Sequence, residues 1–105
     1  MIDVRVTDFT QYPGPRYMDL GPNSGEEFRL KFLLPALKKD KQVRVILDGV
    51  FGYGSSFLEE AFGGLVRSKE VSREQIEFLK NHLISEEDPS YIDEVKVYID
   101  EALKA

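Results

Sequence analysis

The sequence predicts an α/β domain, with a sheet of about four strands packed against helices, and three observations predict it. Ile2, Val4 and Val6 alternate with Asp3, Arg5 and Thr7, the period of a half-buried strand. Val43-Arg44-Val45-Ile46-Leu47 is β-branched and almost continuously apolar, the pattern of a central strand covered on both faces. Between and after these runs, apolar residues recur at helical spacing behind serine caps. Strands alternating with helices imply a mixed, partly parallel sheet built through right-handed crossovers.

Along the chain, Tyr12-Pro13-Gly14-Pro15 breaks the first strand, and 16–20 is expected to return as a short second one. After the turn Gly21-Pro22-Asn23, Ser24 and Glu27 form a capping box for a helix with Leu30, Leu33, Leu34 and Leu37 on one stripe. Pro35 lies inside that stripe. Its missing N–H and its ring are expected to kink or end the helix near Leu34. The strand 43–47 ends at Asp48-Gly49, and the loop that follows leads to Ser56, read with Glu59 as a second capping box. Leu58, Ala61, Phe62, Leu65 and Val66 then make an apolar helical stripe. Gly63-Gly64 weakens this helix by roughly 1 kcal/mol per glycine relative to alanine, so a close approach to another backbone is expected there. Ser72 and Gln75 open a third helix, 82–85 is expected to form a short strand, and Ser90 to cap a last helix with Ile92, Val95, Ile99 and Leu103 inward.

At 105 residues the chain fits a single domain over 1–105. It is long enough to bury a core without disulfide or metal support. There is no Cys, which suits a reducing compartment. The first residues lack the apolar run of a signal peptide, and no segment approaches the ~20 apolar residues of a membrane span. Cytoplasm is the expected location, with no membrane partner. A net charge of −5 argues against a nucleic-acid partner, which requires a positive field.

The stretch most informative about function is 43–66: buried strand, acidic strand end, glycine-rich loop, two serines and a helix start. A helix N-terminus offers unpaired N–H groups and about half a positive charge, which stabilise a hydroxyl or phosphate placed there. The glycines of 49–54 lack the Gly-Lys-Ser/Thr ending of a P-loop and the spacing of a dinucleotide fingerprint. The serines do not sit in a Gly-x-Ser-x-Gly elbow. Asp48 has no lysine placed to complete a phosphoacceptor site and reads as a turn residue before Gly49. His82, the only histidine, has no helical partner for a metal site, and Glu86-Glu87-Asp88 reads as a solvated loop. No cofactor or metal is expected.

The segment Leu47-Asp48-Gly49-Val50-Phe51-Gly52-Tyr53-Gly54-Ser55-Ser56 resembles STAS domains of the anti-sigma-factor-antagonist type. In those, a strand ends near an acidic residue and a partner kinase phosphorylates a serine at the start of the next helix. The chain is more closely similar to bacterial STAS-like proteins of poorly defined function. That likeness runs through Arg16-Tyr17, Gly21-Pro22-Asn23-Ser24-Gly25-Glu26-Glu27-Phe28-Arg29 and Ser55-Ser56-Phe57-Leu58-Glu59-Glu60-Ala61-Phe62-Gly63.

The resemblance implies a STAS-like fold and a non-catalytic, signalling role with a protein partner, a histidine-kinase-like ATPase or an anti-sigma-type regulator. It makes Ser56 and Ser55 the phosphoacceptor candidates. Gly54 and Phe57 stand where acceptor domains usually have Asp and Gly, and Glu59 and Glu60 lie within one turn of Ser56, where they would repel a phosphate. Arg16, Tyr17, Asp48, Phe51, Tyr53, Glu59 and Glu60 are the candidate contact residues, and Arg and Tyr are favoured at contact hot spots. Two rivals come from other classes. One is a small enzyme or nucleotide-binding domain with Asp48, Tyr53 and the serines around a pocket at the strand's carboxyl end. The other is an oligomer subunit, with a homodimer left open.

Overall fold

A computed structural model describes all residues from Met1 to Ala105. Strand β1 (Ile2–Arg5) pairs in parallel with β2 (Val43–Ile46), with Ile2 opposite Val43 and Arg5 opposite Ile46. Beyond β2, Ile84 adds a single parallel bridge to Ile46. Its N–H donates to Val45 (3.0 Å) and its carbonyl accepts from Leu47 (2.8 Å). The sheet is thus two parallel strands and a bridge, where about four strands in a mixed sheet were expected.

Both missing strands have a cause in the backbone hydrogen bonding. Pro13 and Pro15 have no N–H to give a ladder. The backbone after them serves another purpose: the Pro15 and Arg16 carbonyls accept the first N–H groups of the following helix, from Gly25 and Glu26, both at 3.0 Å. Residues Met18–Leu20 close as a 3-10 turn. At 82–85 the ladder stops after Ile84 because Ser85 turns to donate to the Asp88 carbonyl (2.6 Å).

Four helices complete the fold. Helix α1 covers 25–39, α2 covers 55–68, α3 is Arg73–Asn81 and α4 is Ser90–Lys104. In α1, four α-helical residues (Gly25–Phe28) lead into a π turn (Arg29–Leu33), then α-helix again (Leu34–Lys39). Helix α2 repeats the plan with Ser55–Leu58, a π turn at Glu59–Gly63, then Gly64–Ser68. Near Leu34, where a kink or an end is expected, the helix continues through the π turn ahead of Pro35. The wider turn shifts the Leu34 N–H onto the Arg29 carbonyl, and the helix runs on past a residue with no N–H of its own.

The core lies between the sheet and the helices. Val4, Val43 and Val45 face Phe28, Leu33, Phe57, Leu58, Phe62 and Leu65, with Ile76, Leu79, Val95 and Ile99 closing it from α3 and α4. Phe28 and Phe57 stack at 6.0 Å between ring centroids where α1 and α2 meet. Only one face of β2 is wholly covered. On the other, Arg44 is half-exposed and holds Asp3 through two hydrogen bonds (2.9 and 2.8 Å). No helix is long and apolar enough to cross a membrane.

Candidate functional site

Helices α1 and α2 begin differently. At α1 every early donor is occupied: Gly25 and Glu26 by Pro15 and Arg16 as above, and Glu27 by the buried Ser24 hydroxyl (3.0 Å). The Glu27 side chain pairs with Lys31 instead of returning to Ser24, so the expected box is half formed. At α2 the N-cap residue is Gly54, which has no side chain to offer. Ser55 and Ser56 are the first two helical residues, and both are exposed. The N–H groups of Ser55, Ser56 and Phe57 have no protein acceptor; the first that does is Leu58, on the Gly54 carbonyl (3.4 Å).

The expected Ser56–Glu59 capping box is therefore absent. The helix starts two residues earlier than that box requires, with Gly54 and not Ser56 as the cap, and Glu59 is engaged elsewhere. Ser55 sits beside the Tyr98 phenol, which donates to Glu94 (2.7 Å) and whose titration is pushed up to about 12 by burial and by that carboxylate. Of the expected boxes, only Ser72 with Gln75 is complete. At α4 the N-cap position is Pro89 and not Ser90; Ser90 is the first helical residue and donates its N–H and hydroxyl to the Asp88 carboxylate.

Behind the α2 first turn lies a network of three guanidinium groups and two carboxylates. Arg16 donates to Glu59 and reaches Glu60 at 3.6 Å. Arg67 holds Glu59 with two nitrogens (2.6 and 3.0 Å) and approaches Glu60 at 3.4 Å. Arg29 binds the Glu60 carboxylate at 2.6 Å and its backbone carbonyl at 3.0 Å. Glu60 is only 6% exposed. The hydrogen bonds from Arg67 and then Arg16 hold the Glu59 carboxyl below its ordinary range, and Glu59 in turn raises both arginines. Gly64 makes room for the network: a Cβ there would stand 2.0 Å from the Arg29 guanidinium. The close approach expected at Gly63-Gly64 is to side chains. Between the helices the close approach to backbone is at Gly25, whose Cβ would lie 2.3 Å from the Phe57 carbonyl oxygen.

Ahead of α2, the loop after β2 is fixed by side chains turned onto backbone. Both Asp48 carboxylate oxygens accept N–H groups, from Glu86 (3.0 Å) and Glu87 (2.8 Å). The Glu87 carboxylate returns to the Gly49 N–H. Asp48 thus clips together two loops 38 residues apart, and the 86–88 run does more than face solvent. Gly49 has φ +93° with Thr7 against it, a position that a side chain would strain. The Tyr53 hydroxyl donates to the Leu47 carbonyl (2.7 Å), and burial, then the Asp48 charge, raise its pKa strongly.

At the tip of the loop Phe51, 76% exposed, stacks flat on the exposed Tyr12, with centroids 4.8 Å apart and planes within 2°. Between the loop and 85–91 is an open depression of about 170 Å³, lined by Asp48, Phe51, Glu87, Asp88, Tyr91 and four further residues.

A family model described as a STAS-like domain of unknown function (DUF4325) matches residues 24–86. The chain belongs to that family. The match opens at the α1 cap, Ser24, and closes at Glu86, whose N–H Asp48 holds. No curated protein and no solved structure matches the chain.

Within this STAS-like domain the candidate residues fall into three places. Arg16, Glu59 and Glu60 join in the charge network, with Tyr17 beside Arg16 at 6.0 Å. Asp48 and Phe51 line the depression, from which Tyr53 is withdrawn. Ser55 and Ser56 stand apart on the helix start. Sequence reasoning missed Arg67, although it lies two helical turns beyond Glu59 and Glu60, and spacing along one face would have found it. It also missed Tyr12, which reaches Phe51 across 39 positions with no sequence signal.

Proposed function

We propose that this STAS-like domain is a non-catalytic regulatory module. It docks a protein partner through the α2 first turn and the loop before it, and a phosphate on Ser56 tunes the contact. One observation carries the reading: α2 starts with two exposed serines and three N–H groups that no protein atom accepts, whereas α1 starts with every donor used. A phosphate on Ser56 adds about −1.5 to −2 charges and three acceptor oxygens, and the unused donors and the helix dipole favour it. The repulsion expected from Glu59 and Glu60 is offset, because three arginines face these two carboxylates and leave the network one positive charge in excess. Ser55, beside Tyr98 and Glu94, is the poorer acceptor.

The partner class follows from the family resemblance: a histidine-kinase-like ATPase or an anti-sigma-type regulator. In the reaction the Ser56 hydroxyl attacks the ATP γ-phosphorus, ADP leaves, and the hydroxyl proton passes to solvent or to a base of the kinase. The test incubates the domain with ATP and the ATPase encoded beside its gene, then maps phosphopeptides and measures complex formation. A phosphoserine at 56 that Ser56→Ala abolishes, or a stable complex weakened by Phe51→Ala, is the expected result. Neither product with that partner overturns the reading.

The depression at the β2 carboxyl end favours a second reading, a small-ligand or enzyme site. Three acids line it and no lysine or arginine does, so a nucleotide phosphate meets repulsion there. The Asp48 and Tyr53 polar atoms are already engaged by backbone. Saturable nucleotide binding lost in Tyr91→Ala would establish this reading in place of the first.

A further inference from the structure

On the far side of the sheet, β1 is an edge strand. The β1–β2 register and the Ile2 N–H donating to Gln42 (2.9 Å) turn the backbone groups of Ile2 and Val4 toward β2. The N–H and C=O of Asp3 and the N–H of Arg5 therefore point outward without a partner, while the Arg5 carbonyl opens the 3-10 turn Val6–Asp8. Both residues are exposed. Such an edge is a template for another strand unless charge or cover blocks it.

We propose that this edge pairs with the β1 edge of a second copy of the chain, antiparallel and centred on Val4. A two-fold axis brings the same patch of each copy together, so β1 meets β1 antiparallel. In the register centred on Val4, Asp3 of one copy lies opposite Arg5 of the other, and Arg5 opposite Asp3. These are hydrogen-bonded pairs: each free Asp3 carbonyl takes an Arg5 N–H of the other copy, and each Asp3 N–H reaches an Arg5 carbonyl by its second lone pair, the first being used in the 3-10 turn. Asp3 and Arg5 project from the same sheet face, and each meets an opposite charge across the seam.

The neighbouring registers fail on charge. A seam centred on Asp3 sets Asp3 against Asp3, and one centred on Arg5 sets Arg5 against Arg5. The alternation that guards an edge against arbitrary strands makes this one complementary to itself. Asp3 is already held on that face by Arg44, which orients its carboxylate without using the strand edge. A seam this short is smaller than a standard interface, so the dimer is weak and forms at high protein concentration.

Sedimentation equilibrium on the full chain across a concentration series tests this with charge variants. Wild type should show a monomer–dimer equilibrium. Arg5→Asp, with acids at both positions, and Asp3→Arg, with bases at both, should each dimerise at least roughly tenfold more weakly. An equimolar mixture of the two should recover association as a heterodimer, since every cross-strand pair is again opposite in sign. Should Asp3→Arg fail to fold, amide exchange in wild type decides: the Asp3 and Arg5 amides should gain protection as concentration rises, and should not in Arg5→Asp. A wild type that stays monomeric throughout, or association that Arg5→Asp leaves unchanged, overturns the proposal.

Discussion

Arg29 donates from a single guanidinium nitrogen to two oxygens of Glu60, the carboxylate at 2.6 Å and the backbone carbonyl at 3.0 Å. In a regular helix that carbonyl would accept the Gly64 N–H. The π turn of α2 gives the Gly64 N–H to Glu59 instead, and Arg29 supplies a donor to the oxygen left behind. One side chain of α1 thus mends the irregularity of α2 and neutralises its buried acid. Removing one partner of a buried pair leaves an uncompensated charge, at a cost of about 3–5 kcal/mol. Arg29→Met should fall in that range by urea denaturation. Arg67→Met, at a side chain 46% exposed and sharing Glu59 with Arg16, should cost under about 1 kcal/mol. Equal losses would show that the network is not organised around Glu60.

The crossing of α1 and α2 depends on Gly25. A methyl group there meets the Phe57 carbonyl oxygen at 2.3 Å and further Phe57 backbone atoms at 3.1 Å. Backbone cannot swing aside as a side chain can, so the helices must part and the Phe28–Phe57 stack must loosen. Overpacking of this kind costs typically about 1–3 kcal/mol. Gly25→Ala should destabilise accordingly, despite alanine's better helix propensity. Gly54→Ala, with nothing near its Cβ, should lose only the modest N-cap preference of glycine over alanine, about 1 kcal/mol at most, and less than Gly25→Ala. Thermal or urea unfolding of the pair measures the contrast.

Ser24 and Ser56 separate a structural serine from an unoccupied one. Ser24 is fully buried and its hydroxyl accepts the Glu27 N–H. Ser24→Ala should cost about 1 kcal/mol or more, as for a lost cap. Ser56 makes no cap bond and is exposed, so Ser56→Ala should change stability by less than about 0.5 kcal/mol. A cap-sized loss at Ser56 would restore the capping role that its spacing from Glu59 suggests.

That Ser56 misreading marks where local pattern stops being informative. A serine three residues before a glutamate carries the same signature whether the chain turns helical after it or before it, and here Gly54 already holds the extended cap conformation. Strand β2 and the stripes of α3 and α4 were legible because burial of one face imposes a period on the residues. The π turns were not, since Arg29 and Glu60 interact across 31 positions and neither helix betrays its extra residue locally. The strand expected at 16–20 failed for a related reason: its carbonyls answer the open donors of a helix start, a tertiary demand that propensity does not record. Arg16, Glu59 and Glu60 stand out in the sequence as candidate contact residues. Folding makes them partners of one another, and Phe51, Tyr12 and the two serines are the side chains left exposed beside them.

The same network sets an acid limit on stability. The Arg67 and Arg16 hydrogen bonds hold the folded Glu59 carboxyl below 4.5, its ordinary value. A group whose pKa is lowered by folding stabilises the native state fully above its unfolded value. That contribution disappears as pH falls through the folded one, where the native chain must also take up the proton. Glu59→Gln should therefore be less stable than wild type at neutral pH. The difference should hold down to about pH 5 and shrink below about pH 4. Urea midpoints of the two proteins across this range provide the measurement. A difference that stays constant into acid would mean that the lost stability comes from packing of the side chain and not from its charge between Arg16 and Arg67.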